Sequence, residues 1–519
     1  MAQVKLYDTT LRDGMGGHGM SLSVGEKLKV VEALDRLGVH FVEAGFPSSN
    51  PKEAEFFERL ADVETESSTI AAFGMTRRRD RAAADDEALA VLVASFAPMV
   101  CLVGKASGFQ VEKVIRVSRD ENLAMIADSF EFCVSEGKRA VFDAEHFFDG
   151  YREDRAYALE CVRAAAGAGV ENVTLCDTNG GSLPAFVGEA TAAVVEALDG
   201  VEVGIHTHND AECAVANSLA AVEAGARLVQ GCVNGYGERC GNANLASILP
   251  ALQLKMGFDV VTDEQLASLT STSHYLDELC NMAADPDQAY VGRNACAHKA
   301  GMHAAGVAAD ASTFEHLDPA QVGNDREILA SELSGKATIR TQAEQAGLQL
   351  DDEAAARAVD RLKEREHRGY HYEAAPASFE LLLRQEAGSY APLFKLESFK
   401  VTTEKRADGK VETEATIKVE VDGEHYERSA EGNGPVNALD KALRAAIVDG
   451  HPHLADIELT NYKVRILDET HGTDAVTRVL LDSSDGEREW GTIGVSENII
   501  EASWEALVDS LEYAFQPRG

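Results

Sequence analysis

Two imidazoles stand two residues apart in Gly204-Ile205-His206-Thr207-His208-Asn209-Asp210, directly after the apolar-leaning run Val201-Glu202-Val203. Side chains at i and i+2 of a strand project to the same side, so His206 and His208 converge at what reads as a strand end. Neutral imidazoles facing one point, joined by carboxylates from elsewhere, make a divalent-metal site of mixed nitrogen and oxygen ligands. An isolated His-x-His also occurs as two polar residues at a strand mouth. The metal reading therefore depends on what else reaches that spot.

The elements that must position these side chains are short β-type runs alternating with helix-length segments from Val4 to about residue 265. The runs are Val4 to Tyr7, His40 to Phe46, Thr69 to Phe73, Met99 to Val103, Ala140 to Ala144, Val173 to Cys176, Val201 to Ile205 and Leu228 to Val233. Amphipathic segments such as Val24 to Leu37 and Ala156 to Ala168 lie between them. Eight such units predict an α/β fold, a closed parallel (β/α)8 TIM barrel whose chemistry sits at the C-terminal strand ends. Those ends are polar: Asp8 to Gly14 follow the first strand, Glu43 the second, Asp143 and Glu145 the fifth, Asp177-Thr178-Asn179 the sixth, and Asn234 to Asn242 the eighth. With His206 and His208 at the end of the seventh, six polar ends converging on one barrel mouth argue for a site. The glycines of the last loop lack the spacing of a dinucleotide fingerprint.

The 519 residues, 45% of them apolar, suffice for two or three domains. A formal charge of -39 repels phosphate and opposes nucleic acid or anionic lipid as partners. No signal segment and no apolar run of membrane-spanning length is seen, and nine cysteines without a CxxC pair fit reduced thiols. A cytoplasmic location is expected.

Three domains are expected: the barrel over 1–265, a helical linker subdomain over 266–370, and a C-terminal α+β regulatory and dimerisation domain over 371–519. The last contains an internal repeat, with Asp-Gly turns at Asp422-Gly423 and Asp485-Gly486 and later glycine-bounded helices. A small effector is expected in the seam between the copies, near Gly432, Gly434, Gly491 and Gly494.

Leu6 to Gly14, His206 to Asp210, and Gly235-Tyr236-Gly237-Glu238-Arg239-Cys240-Gly241-Asn242 resemble the metal-dependent acyl-CoA synthase and lyase barrels. That group includes 2-isopropylmalate, homocitrate and citramalate synthases and 3-hydroxy-3-methylglutaryl-CoA lyase. Phe46 to Lys52, Phe73 to Arg78, Glu145 to Gly150 and Cys176 to Gly181 carry the closer likeness, to the citramalate synthases.

The resemblance implies an acyltransferase condensing acetyl-CoA with a 2-oxo acid. Pyruvate would give (R)-citramalate for isoleucine biosynthesis; a sister synthase using a larger oxo acid, or an acyl-CoA lyase, is the alternative. It implies one divalent metal ion per subunit (Mn, Mg or Zn) on Asp13, His206, His208 and Asn242. Arg12, Glu145 and His303 become catalytic, and Arg12, Glu43, Asp143 and Thr178 substrate-binding. Arg77 and Arg78 are expected to meet CoA phosphates, isoleucine or another branched-chain amino acid to be the effector, and a homodimer to be the assembly. Met15-Gly16-Gly17-His18-Gly19 departs from the glutamine and acidic residue usual in that loop, which leaves the oxo acid open.

Overall fold

The computed structural model describes residues 2–298, 301–328, 336–448, 450–467 and 475–517. Its first eight strands are β1 (Lys5–Asp8), β2 (Phe41–Gly45), β3 (Thr69–Met75), β4 (Met99–Lys105), β5 (Arg139–Glu145), β6 (Asn172–Asp177), β7 (Glu202–Thr207) and β8 (Leu228–Gly231). Each pairs in parallel with the next, and β1 closes on β8 with Lys5 opposite Leu228 and Asp8 opposite Gly231. All eight expected strands are therefore present and closed into a barrel.

Local signals explain why the connecting segments are helical. Helix Val24–Leu37 begins at a capping box of Ser23 and Glu26 and stops at Gly38, whose φ of 85° is cheap for glycine alone.

Two-residue alternation sorts the strand residues. Tyr7, Phe41, Ala71, Met99, Cys101, Val141 and Leu228 pack together as an apolar floor inside the barrel. A larger core, including Val42, Val100, Phe142 and Val229, lies between strands and helices. One step nearer the mouth along the inward rows, Phe41 gives way to Glu43, Val141 to Asp143 and Leu228 to Gln230. The polar layer thus rests on a dry floor.

Around the expected boundaries at 265 and 370, packing sorts the middle region between two units. Packing divides the chain into one unit of Met1–Cys296 with Leu317–Arg326 and another of Ala297–His316 with Glu327–Gly519. Leu269 and Leu276 are buried in the barrel's outer core, whereas Ile339, Leu362 and Phe379 share a core with Ile493 and Val495. The middle region is split because its halves bury their apolar faces in different places.

The repeat is present in the second unit. Strands Lys395–Lys405, Val411–Val421 and Glu424–Gly432 form one antiparallel sheet, and Glu458–Ile466, Thr477–Ser484 and Glu489–Ser496 another. Helices Pro435–Ile447 and Ile499–Phe515 follow them. Each sheet carries an irregularity at the same place in its first strand, at Leu396/Ser398 and Leu459/Asn461. Asp422 and Gly423, at φ 51° and 84°, make the tight hairpin turn expected of an Asp-Gly pair. Among the described residues, no helix is long and apolar enough to cross a membrane.

Candidate active site

The loop after β1 is wound around a single carbonyl. Thr9 O accepts from the backbone N–H groups of Arg12, Asp13 and Gly14 at 3.1, 2.8 and 3.0 Å, while Thr9 N donates to Gly231 O at 2.8 Å. Buried Asp8 anchors the turn, accepting from Thr10 N at 2.8 Å and Val233 N at 3.2 Å. Arg12 and Asp13 are thereby held over the barrel mouth.

Arg12 is gripped from behind. Its Nε donates to Glu43, whose other oxygen accepts from the Tyr7 hydroxyl at 2.9 Å, and its guanidinium lies 4.0 Å from the centre of the Phe73 ring. Its terminal nitrogens stand 3.3 Å from Asp13 Oδ1 and 3.9 Å from Asp143 Oδ2. Glu43 has no solvent exposure. Glu43, expected among the substrate-binding residues, lies behind Arg12 and holds its guanidinium. Burial, and next the charge of Glu43, push the Asp143 carboxyl up to about 6.

Asp13 Oδ2 lies 3.2 Å from His206 Nε2 and 3.8 Å from His208 Nε2, and the two Nε2 atoms are 3.3 Å apart. Burial opposes the charge on Asp13, but Arg12 and the His206 hydrogen bond outweigh it and hold the carboxyl well below the usual range. Burial, and then His206, lower the His208 imidazole to about 4, which keeps it neutral as a metal ligand must be. Asn242 is paired through its backbone with His208; its Nδ2 donates to Tyr236 O at 3.0 Å and its buried Oδ1 has no hydrogen-bond partner. Two converging imidazoles, a carboxylate and an orphaned amide oxygen fit a divalent cation. The glycine-rich loop serves this placement, since a Cβ on Gly237 would come within 2.3 Å of Asn242 Nδ2.

Arg12, Asp13, Asp143, His206 and His208 face a cavity of about 220 Å³ whose wall includes Phe73, Val103, Cys176 and Thr178. Thr178 Oγ1 accepts from the His146 backbone N–H at 2.8 Å, which leaves its own hydrogen free to donate. Glu145 lines this cavity and also a second one of about 410 Å³ reaching Arg78, Arg79 and Lys105. It is ion-paired with Lys105.

Matches to known families follow the same layout. An HMGL-like family model matches residues 3–276, a homocitrate synthase post-HMGL domain-like model 290–369, and a LeuA allosteric (dimerisation) domain model 373–515. An (R)-citramalate synthase of Streptomyces coelicolor is 47% identical, covering 99% of this chain and 97% of its own. One of Aquifex aeolicus is 44% identical over 98% and 97%. A probable 2-isopropylmalate synthase of Methanopyrus kandleri is 34% identical over 98% and 97%. The chain belongs to the citramalate and isopropylmalate synthase family of enzymes.

Enzymes of the HMGL-like family are metal-dependent, and Asp13, His206 and His208 form a group with the ligand types to hold a metal ion. Not every expected site residue gathers there. Arg77, expected at the CoA phosphates, lines the larger cavity but is buried and ion-paired with Glu121 at 2.8 Å and Asp128 at 2.8 Å. Arg78 stays exposed at the larger cavity. His303 belongs to the second unit, where its exposed ring stacks on Phe314 with centroids 4.2 Å apart.

The second unit holds a cavity of about 420 Å³ between its repeats, lined by Gly434, Val436, Leu459, Tyr462 and Ile500. Of the four expected glycines only Gly434 lines it. A Cβ on Gly432, Gly491 or Gly494 would meet Ala438 N at 2.5 Å, Ala374 O at 2.6 Å or Ala502 O at 1.9 Å, so these three serve close backbone packing. Sequence reasoning missed Lys105, Gln230 and the Arg239–Asp210 pair that closes over Thr178 O.

Proposed function

We propose that the enzyme condenses acetyl-CoA with pyruvate, then hydrolyses the thioester to release citramalate and CoA. The observation that carries the reading is the placement of Arg12 beside Asp13, His206 and His208 at a cavity of about 220 Å³, with the unpartnered Oδ1 on Asn242, the residue bridged to His208. That volume and the apolar wall of Phe73, Val103 and Cys176 suit a small oxo acid ending in a methyl group. The full-length likeness to citramalate synthases supports the same substrates.

A divalent ion held by Asp13, His206, His208 and Asn242 supplies Lewis-acid polarisation of the ketone. Thr178 donates its hydroxyl hydrogen to the oxo acid's carboxylate. Glu145, ion-paired with Lys105 where the two cavities meet, takes the proton from the thioester methyl carbon. The freed carbanion attacks the ketone carbon, and Arg12 stabilises the alkoxide that forms. Water then replaces the sulfur at the thioester carbon.

Release of free thiol from acetyl-CoA across a panel of 2-oxo acids tests this. Pyruvate should give the highest kcat/KM; a preference for 2-oxoisovalerate would favour the isopropylmalate reading, and no thiol with any acid would remove the synthase reading.

A second proposal concerns control. We infer that the repeat cavity takes isoleucine, the end product the citramalate route would feed. Its apolar wall of Val436, Leu459 and Ile500 suits a branched side chain, and Asp440 and the Asn437 amide suit a zwitterion. A homodimer through this domain and a reducing cytoplasmic setting complete the reading; the latter suits nine cysteines that form no disulfide.

A further inference from the structure

Gln230 is an amide with no solvent exposure, inside a barrel whose neighbouring rows are apolar or charged. It stands directly opposite His206 in the β7–β8 register. His206 Nδ1 donates to Gln230 Oε1 at 2.9 Å, and Gln230 Nε2 donates across the barrel to Asp143 Oδ1 at 2.8 Å, with Thr174 Oγ1 at 3.3 Å. Gly204 keeps this span clear, since a Cβ there would come within 2.6 Å of Thr174 Oγ1.

The amide has only one orientation that satisfies both neighbours. Asp143 offers acceptors, so the NH2 group must face it and the carbonyl oxygen must face His206. A carbonyl at Nδ1 requires the hydrogen of the neutral imidazole to sit there. The lone pair is then on Nε2, the atom that stands 3.3 Å from His208 Nε2 and 3.2 Å from Asp13 Oδ2.

We propose that Gln230 is a positioning residue that fixes the His206 tautomer and ring angle for metal binding, with its own amide fixed in turn by Asp143. This rests on the metal site proposed above. Because Asp143 also faces Arg12, one amide joins the metal-binding imidazole to the carboxylate beside the guanidinium. A partner of this kind typically changes metal affinity by about 10- to 100-fold.

The test is calorimetric titration of Mn2+ into the metal-stripped full-length protein. Gln230→Met removes both hydrogen bonds at similar volume and should weaken binding by about 10- to 100-fold. Gln230→Glu keeps an acceptor at His206 Nδ1 and should stay within about threefold of wild type. Imidazole 15N shifts of the metal-free proteins, taken above the pH at which His206 loses its proton and with melting curves to show that each is folded, should report an Nδ1–H tautomer of His206 in wild type and Gln230→Glu only. Unchanged Mn2+ affinity in Gln230→Met, or equal losses in both variants, would overturn the positioning role. Failure of the wild type itself to bind Mn2+ would bring down the metal site first, and this inference with it.

Discussion

Glu43 reaches Arg12 from the side away from the cavity, one oxygen taking the guanidinium Nε and the other the Tyr7 hydroxyl at 2.9 Å. The guanidinium plane is thereby set by a group with no solvent exposure. A lysine at position 12 has the charge but cannot engage Glu43, Asp13 and the Phe73 face together. Arg12→Lys should lower kcat by about 10² to 10³ while Mn2+ affinity changes little. Turnover near wild type would make Arg12 structural.

His208→Ala and Asn242→Ala each remove one proposed ligand without touching the apolar floor of the barrel. Metal content after dialysis and citramalate formation should fall together in both. A variant that loses metal yet keeps full rate would detach the cluster from catalysis.

Proton release separates the two imidazoles. Burial opposes protonation of His206, but the Asp13 hydrogen bond raises it above its ordinary value, whereas His208 is lowered to about 4. Between about 4 and the raised His206 value, the metal-free site carries its proton on His206 alone, so Mn2+ binding should release about one proton. Affinity should rise with pH across that window and level off above it. Calorimetry in buffers of different ionisation enthalpy counts the protons; two released near neutrality would contradict the assignment.

Arg77 and Arg78 should part company. Arg77→Met removes the pairs with the half-exposed Glu121 and Asp128 and should cost about 1 kcal/mol of stability with KM for acetyl-CoA unchanged. Arg78→Ala should raise that KM and leave the melting temperature where it was.

Filling the repeat cavity should silence control while sparing chemistry. Val436→Trp should abolish any response to isoleucine, leucine or valine at half-saturating substrate while leaving kcat unchanged, against a wild-type shift of about 5- to 150-fold in effector affinity coupling. A wild type indifferent to all three amino acids would leave the domain as a dimerisation platform.

The barrel was legible because alternation and polar strand ends are local signals, repeated once per unit. His206 and His208 announce themselves by spacing. Gln230 does not: in Leu228-Val229-Gln230-Gly231 it reads as one polar residue in a short buried strand, and only the register opposite His206 gives it a task. Arg77 looked like a free cation because Glu121 and Asp128 come from a helix far along the chain. The split of the middle region was hidden for a similar reason, since helical periodicity shows that a face is apolar but not which core receives it.

Closure of β1 on β8 has a consequence for biosynthesis of the site. Asp13 follows the first strand, the imidazoles end the seventh and Asn242 follows the eighth, so the ligands meet only when the ring shuts through pairs such as Lys5 with Leu228. A nascent chain that has emerged only through β6 offers Asp13 but neither imidazole. Metal capture is therefore a late event in folding, and the rate at which added Mn2+ becomes bound during refolding reads out the joining of the chain's first strand to its eighth.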